Sequence, residues 1–300
     1  MRVTNQLIKN TVMVNIQRNL RNMNHYQNML SSGKTITKPS DNPISVARVM
    51  SYNSVLSQNM QYQKNIHAAT TFVETTESAL KGINEVLQRA RELALTGANG
   101  TMSEDDLRAV AKEVDELNNV LVQLANSSIE GRYVFAGFKT TSVPFARDKD
   151  LLQTEPSSVT YQGNTGSINW EVAPNVTIKG NLDGHTMFMD SCIFEYMDTL
   201  VQGLEGNDHS VIDDSIANLT EAIQFVLDNR AGLGAIVNGL ELSREKYLDE
   251  NLSVTQLRST LEDIDLAKAI INFNVMENVY RSSLSTGARI MQPSLIDYLR

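Results

Sequence analysis

The residues able to carry chemistry in this chain are few: four histidines, one cysteine, an acidic triplet, a glycine-rich run and an aromatic–glycine cluster. His25, His67, His185 and His209 are scattered. They form no HxxxH pair, and no carboxylate stands at a metal-binding spacing, so the convergent ligand set a metal needs is absent. Cys192 is alone, which excludes an intramolecular disulfide framework and a thiolate metal site. Glu104, Asp105 and Asp106 resemble a cation cluster, but acidic side chains at a helix start are favoured by the helix dipole. "AGLGAIVNG" (231–239) lacks the GxGxxG spacing and no strand precedes it, so it reads as helix packing or a turn rather than a phosphate loop. No serine sits in GxSxG, and His185, Asp183 and Asp190 form no catalytic constellation. These residues predict no enzyme and no cofactor.

"GRYVFAGF" (131–138) has the cadence of an RNA-stacking motif, with alternating aromatics between glycines. Glu130 precedes it where a basic residue belongs, and the order of small and aromatic positions departs from that motif. The alternative is a strand whose Tyr133 and Phe135 pack onto neighbouring helices, with Gly131 and Gly137 allowing sharp bends.

The bulk numbers point the same way. A net charge of −9 over 300 residues argues against nucleic acid as a partner, because phosphate neutralisation needs a basic footprint. The charge is uneven: residues 1–40 hold six basic residues and no acid, whereas residues 41–250 carry 15 basic and 30 acidic. No apolar run reaches the roughly 18–20 residues of a membrane span. The first ten residues lack the apolar core of a cleaved secretory signal.

Such sparse chemistry leaves the elements themselves as the functional parts. Met13, Ile16, Leu20, Met23 and Leu30 lie on a 3,4 spacing in a first helix from about Thr4 to Ser32. Seven asparagines among its first thirty residues make that helix marginal alone. Gly33 and Pro39 stop it; Asp41 or Asn42 caps a second helix with Pro43 at its first position. That helix runs to about Thr96, with Val73, Thr76, Leu80, Ile83, Leu87, Ala90 and Ala94 in register, a length of roughly 80 Å. Ser103 with Asp106 forms a capping box for a return helix striped by Leu107, Val110, Val114, Leu117, Leu121 and Leu124.

Residues 131–192 read as a β-rich insert, with Asn164-Thr165-Gly166 as a hairpin turn between alternating runs. Helical pattern returns at Ile193, Met197, Leu200 and Leu204, and again from Val211 to about Leu248. The C-terminal segment is apolar on two stripes. Leu257, Leu261, Ile264, Ile271 and Val275 form one; Leu266, Ile270, Phe273, Tyr280 and Leu284 form the other. A helix apolar over so much of its circumference is built to be surrounded. Beyond Pro293, Leu295 and Leu299 continue the apolar pattern. The expected fold is mainly α with a β-rich insert. Its N- and C-terminal arms pair as a long antiparallel helical bundle or coiled-coil rod, with the β domain at the far end. The corresponding divisions are 1–42 with 255–300 as terminal core, 43–130 with 193–254 as helical body, and 131–192 as outer insert.

"LSSGKTITKPSDNP", "VLQRARELALTGANGTMSEDDL" and the ending "PSLIDYLR" together resemble the bacterial flagellin family across both arms, about residues 1–140 and 200–300. Within the family, "EGRYVFAGFKT" and the modest length resemble the hook–filament junction subunits more than filament flagellin, which stands as the alternative. The resemblance implies an extracellular structural subunit, exported without a cleaved signal by the flagellar type III export apparatus and its export chaperone. It implies a ring of copies between hook-associated protein 1 and the first layer of flagellin. It further implies that the terminal helices form a coiled-coil core that orders on assembly through Met13, Ile16, Leu20, Met23, Leu30, Leu257, Leu261, Ile264, Ile271, Val275, Leu295 and Leu299. In family flagellins the helix matching "LQRARELA" presents a receptor-recognised surface, here carrying Arg89 and Arg91.

Overall fold

The computed structural model describes residues 2–100, 102–148 and 158–291. Six α-helices carry most of the protein: α1 (Arg2–Ser32), α2 (Pro43–Ala98), α3 (Glu104–Ala125), α4 (Ile193–Glu205), α5 (His209–Glu262) and α6 (Leu266–Met291). Between α3 and α4 lie six short strands, β1 (Ser128–Ile129), β2 (Arg132–Tyr133), β3 (Phe145–Asp148), β4 (Ser158–Tyr161), β5 (Asn169–Ala173) and β6 (Val176–Lys179), then a π-helical turn, His185–Met189. The expected class, mainly helical with a β-rich insert, is the observed one. The protein divides into two compact units, residues 1–58 with 249–300 and residues 59–248.

In the first unit the helix ends follow the local chemistry. Gly33 adopts φ 70° and its N–H donates to the Met29 carbonyl at 2.9 Å, closing α1. Of the two residues able to cap α2, Asn42 does so: its Oδ1 accepts from the Ser45 N–H at 3.1 Å. Asp41 instead secures the turn before it, accepting from the backbone N–H of Lys38 at 2.9 Å and of Thr37 at 3.2 Å. The Lys38 bond, followed by those from Thr37, holds its carboxyl below the usual carboxylate range.

The C-terminal pattern contains a break that periodicity does not announce. Helix α5 runs fourteen residues beyond Leu248, and the backbone then leaves the helical path over 263–265. This break is bound to the α1–α2 linker by an isolated antiparallel bridge between Lys34 and Asp263. The Thr35 N–H donates to the Glu262 carbonyl at 2.7 Å and the Ile264 N–H to the Gly33 carbonyl at 3.1 Å. The Lys34 ammonium pairs with the Glu262 carboxylate. Asp265 then accepts from the Lys268 N–H at 3.1 Å and starts α6. Two interruptions distant in sequence therefore satisfy each other's orphan backbone groups.

In the second unit, the α2 stripe from Val73 to Ala94 is buried throughout. The capping box forms as expected, with Ser103 and Asp106 bonded reciprocally, and Ser103 lowers the Asp106 carboxyl from its ordinary value. The buried face of α3 is Leu107, Ala111, Val114, Asn118, Leu121 and Ala125, one position off the expected stripe for half of its members. Helices α2 and α5 meet through Glu77 and Arg230 at 2.6 Å and through stacked Tyr62 and Tyr247 rings with centroids 5.6 Å apart.

The "GRYVFAGF" stretch is a joint rather than a long strand. Glu130 (φ 50°) and Gly131 (φ 76°) make the tight turn of the β1–β2 hairpin, a sign pattern that suits the twist of antiparallel strands. The strand ends at Tyr133, and Val134, Phe135 and Ala136 dive into the core. Gly137 (φ 62°) lies so close to Asn164 that a Cβ there would overlap that residue's carbonyl oxygen. Phe135 meets Phe188 edge-on at 5.1 Å, and Phe188 meets Phe145 at 4.9 Å and Phe194 at 5.5 Å. Offset and edge-to-face aromatics of this kind add to simple area burial.

The expected hairpin across Asn164-Thr165-Gly166 does not form. Strand β4 pairs with β3, and β5 pairs with β6 across Pro174-Asn175. Proline fixes a negative φ and Asn175 takes φ 61°, the type II combination, so the turn chemistry sits one strand later than the sequence pattern places it. Asn164 works as a clasp: its Oδ1 accepts from the Phe138 N–H at 2.6 Å, and its N–H donates to the Ala136 carbonyl at 3.2 Å.

A polar knot fixes the insert to the helices. Arg147 on β3 donates to Asp115 at 2.7 Å, Asp198 at 3.0 Å and Asn119 at 2.8 Å, with its side chain almost fully buried. Breaking a buried ion pair costs roughly 3–5 kcal/mol because the partner charges are left uncompensated. Asp115 remains partly exposed, so Arg147→Met is expected at the low end, about 3 kcal/mol, read as a lower urea midpoint.

Tyr161 supplies a pH test of the same region. Its hydroxyl lies 3.0 Å from the carbonyls of both Phe135 and Asn164, and burial, followed by the charge of Asp183, pushes the phenol up to about 12. A folded value above the ordinary one of about 10 means this stabilisation is complete below pH ~10 and is lost as pH rises towards ~12. Chemical denaturation as a function of pH is expected to show that alkaline loss, and Tyr161→Phe to remove this component of it.

Candidate assembly surfaces

Helices α1 and α6 pack on each other within the first unit. Their meeting faces combine small and polar groups with part of the expected stripes. Gly287 lets α1 come close: a Cβ there would stand 3.0 Å from Val12 and 3.2 Å from Ile16. Asn19 donates to the Ser283 hydroxyl at 2.9 Å across the pair. Among the described residues of α1 and α6, the fully buried apolar side chains are Met29 and Ala269. A groove of about 450 Å³ lined by Val12, Asn15, Ile16, Ser282, Ser283 and Gly287 runs along the contact.

The stripe residues divide between this contact and the surface. Met13 is 54% exposed and Leu20 is exposed as well, while Ile16, Met23 and Leu30 are half-buried. On the C-terminal side Leu257, Ile271 (62%) and Val275 (48%) are exposed, and Leu261 and Ile264 are half-buried. Leu295 and Leu299 lie outside the described residues. From the second stripe Leu266, Ile270 and Leu284 are exposed, whereas Phe273 and Tyr280 are half-buried. Val279, in neither stripe, is exposed too.

The intramolecular contact therefore joins Ile16 of the expected stripe to Val12, Asn19, Ser283 and Gly287, the last three of which apolar periodicity overlooks because they are small or polar. The one signal in the sequence is Gly287 itself, a glycine inside an otherwise continuous helical pattern. What remains outside, among the described residues, is an exposed row on α6, Ile271, Val275 and Val279 at i, i+4 spacing, with Ile270 and Leu284 exposed on another face. Scattered exposed apolar residues are ordinary, but a contiguous band marks an interaction surface.

The other sequence candidates are placed as follows. Arg89 is half-exposed and bridges α2 to α3 through Glu113 at 2.7 Å; that hydrogen bond first, then the charges of Glu113 and Glu92, raises its guanidinium above the ordinary value. Arg91 is half-buried on the same helix. His185 pairs with Asp190 at 3.1 Å on the surface of the insert. Cys192 is a free thiol raised by burial and by Glu195, an unreactive setting. Among the described residues no group of three His, Cys, Asp or Glu is placed to hold a metal ion. No helix among them is long and apolar enough to cross a membrane.

Comparison with known proteins gives these surfaces their context. Residues 3–140 match the bacterial flagellin N-terminal helical region, and residues 216–299 match the bacterial flagellin C-terminal helical region. The sequence is 27% identical to flagellar hook-associated protein 3 of Salmonella typhimurium, over 100% of both proteins. It is 26% identical to the Escherichia coli protein of the same name, over 94% of this protein and 95% of that one. A 33 kDa flagellar filament core protein of Treponema phagedenis is 27% identical over 93% of each. The fold is shared with a flagellar hook-associated protein structure from Vibrio parahaemolyticus, with a TM-score of 0.66 over 74% of this protein and 100% of that one, at 22% identity. It is shared also with a flagellar junction protein from Legionella pneumophila, with a TM-score of 0.59 over 71% of this protein and 100% of that one, at 15% identity. With both helical regions matched and its full length aligned to flagellar relatives, the protein belongs to the bacterial flagellin family.

Proposed function

We propose that this protein is an axial structural subunit of the flagellum that joins the hook-associated region to the flagellin filament. The observation that carries the reading is the exposed row Ile271, Val275 and Val279 at i, i+4 spacing on α6, with Ile270 and Leu284 exposed on another face of the same helix. Copies of the subunit would form a ring and cover one another's bands. Hook-associated protein 1 on one side and flagellin on the other are the neighbours this position requires. Delivery outside the cell would use the flagellar export apparatus and a chaperone that covers the same helices beforehand. The names carried by full-length relatives support this place in the structure, and the work is structural rather than catalytic.

The α1–α6 pair buries little apolar surface of its own, and α1 is a poor isolated helix. The pair therefore gains most of its order when neighbours cover it, a coupling of folding to assembly. A second reading, filament flagellin, is favoured by the Treponema filament relative. The two differ in behaviour: a filament subunit polymerises alone, and a junction subunit assembles only with its neighbours.

The test is mixed assembly. Purified protein is expected to join flagellin to ends of hooks carrying hook-associated protein 1 and to form no long filaments by itself under electron microscopy. Long filaments from the protein alone would decide for flagellin. Ile271→Asp and Val275→Asp alter exposed positions, so the thermal transition of residues 59–248 is expected to stay unchanged while joining is lost. Normal joining by both variants would remove the α6 band from the account.

A further inference from the structure

Two Asn–Gly pairs occur in the sequence, Asn99–Gly100 and Asn238–Gly239. All four residues are exposed, so access to water does not separate them. Backbone geometry does. Asn99 and Gly100 lie in the turn after α2, whose last helical residue is Ala98, and Gly100 has φ 59°. A Cβ would meet nothing within 4 Å at either Gly100 or Gly239, so crowding does not separate the pairs and the helix does. Asn238 and Gly239 sit deep inside α5, and the Ser243 hydroxyl additionally donates to the Gly239 carbonyl at 2.8 Å. In an α-helix the N–H of residue 239 is held by the carbonyl four residues earlier, which fixes both its proton and its direction.

We propose that Asn99 is a site of spontaneous deamidation in the folded protein, and that the helix protects Asn238 from the same reaction. The Gly100 backbone nitrogen attacks Cγ of Asn99, forming a new bond between nitrogen and carbon. The bond from Cγ to Nδ2 of Asn99 breaks, and Nδ2 leaves as ammonia after taking up the proton lost from the Gly100 amide. Water then opens the resulting cyclic imide at either carbonyl, giving aspartate or isoaspartate at position 99. The attack needs an asparagine free to swing over the next peptide nitrogen and a glycine that offers no steric shield. Only the turn meets both conditions without unfolding, because in α5 the ladder must first open locally.

The product matters to the local structure. It adds a negative charge in the turn that leads to Glu104, Asp105 and Asp106, and the isoaspartyl form inserts an extra methylene into the backbone just before the Ser103 cap. The turn hangs from a firmly packed helix end, since a Cβ at Gly97 would press on Leu204 at 2.6 Å.

The test ages the full-length protein at mildly alkaline pH, natively and in urea, followed by peptide mass spectrometry with isoaspartate detection. Natively, the peptide containing Asn99 is expected to gain the one-dalton shift and isoaspartate while the peptide containing Asn238 stays unchanged. In urea both are expected to convert. Asn99→Gln, which would require a larger ring, should lose the native signal without altering the thermal transition. Native conversion of Asn238 keeping pace with Asn99 would overturn the proposal. So would an Asn99 that stays intact natively over a period in which the urea-unfolded protein is converted.

Discussion

The structure depends on a mismatch between apolar surface and the partners available to cover it. Helix α6 carries isoleucine, valine and leucine around much of its circumference, yet α1 meets it with Val12 and Ile16 against Gly287 and with Asn19 against Ser283. Close backbone approach at Gly287 admits Val12 and Ile16, while Ile271 and Val275 on another face of α6 stay exposed. Hydrophobic burial is the dominant favourable term in folding, and here it is deferred. The terminal helices are positioned by their mutual contact and by the bonds between residues 33–35 and 262–264, and in the function proposed above other copies and neighbours cover the apolar groups left exposed.

Residues 59–248 obey the opposite rule. Their core is continuous through α2, α3, α4 and α5, and the insert is sewn to it twice: by the Phe135, Phe145, Phe188 and Phe194 rings and by Arg147. The aromatic contacts supply the apolar area. The arginine supplies direction, since its bonds to Asp115 and Asp198 fix β3 against α3 and α4 at once. Residues 59–248 thus bury a core of their own, whereas the terminal helices leave large apolar side chains exposed, which suits the proposed role of a subunit whose contacts change.

Much of this is legible in the sequence because helix periodicity and caps are local. The α2 stripe, the Ser103 box, the Gly33 stop and the α4 series at Ile193, Met197, Leu200 and Leu204 all stand where spacing puts them. What escapes the sequence needs distant partners. The break at 263–265 has no proline or glycine; it exists because residues 33–35 bond to it. The Asn164-Thr165-Gly166 pattern has the look of a hairpin, but β4 pairs with β3, and Asn164 spends its hydrogen bonds on the loop at Phe138. The α1–α6 contact face is only partly visible, because periodicity finds Ile16 but not Asn19, Ser283 and Gly287. Tyr133 and Phe135, grouped as a strand, part company: the first stays half-exposed and the second is buried.

The central claim is that residues of α1 and α6 gain their order from neighbouring copies, whereas residues 59–248 do not. Amide hydrogen exchange, compared between dilute protein and protein assembled at the hook–filament junction, tests it most directly. The account predicts rapid exchange along α1 and α6 in the dilute state, strong protection after assembly, and protection of α2 from Val73 to Ala94 in both states. Amides of α1 and α6 in the dilute protein that exchange as slowly as those of α2 would contradict it.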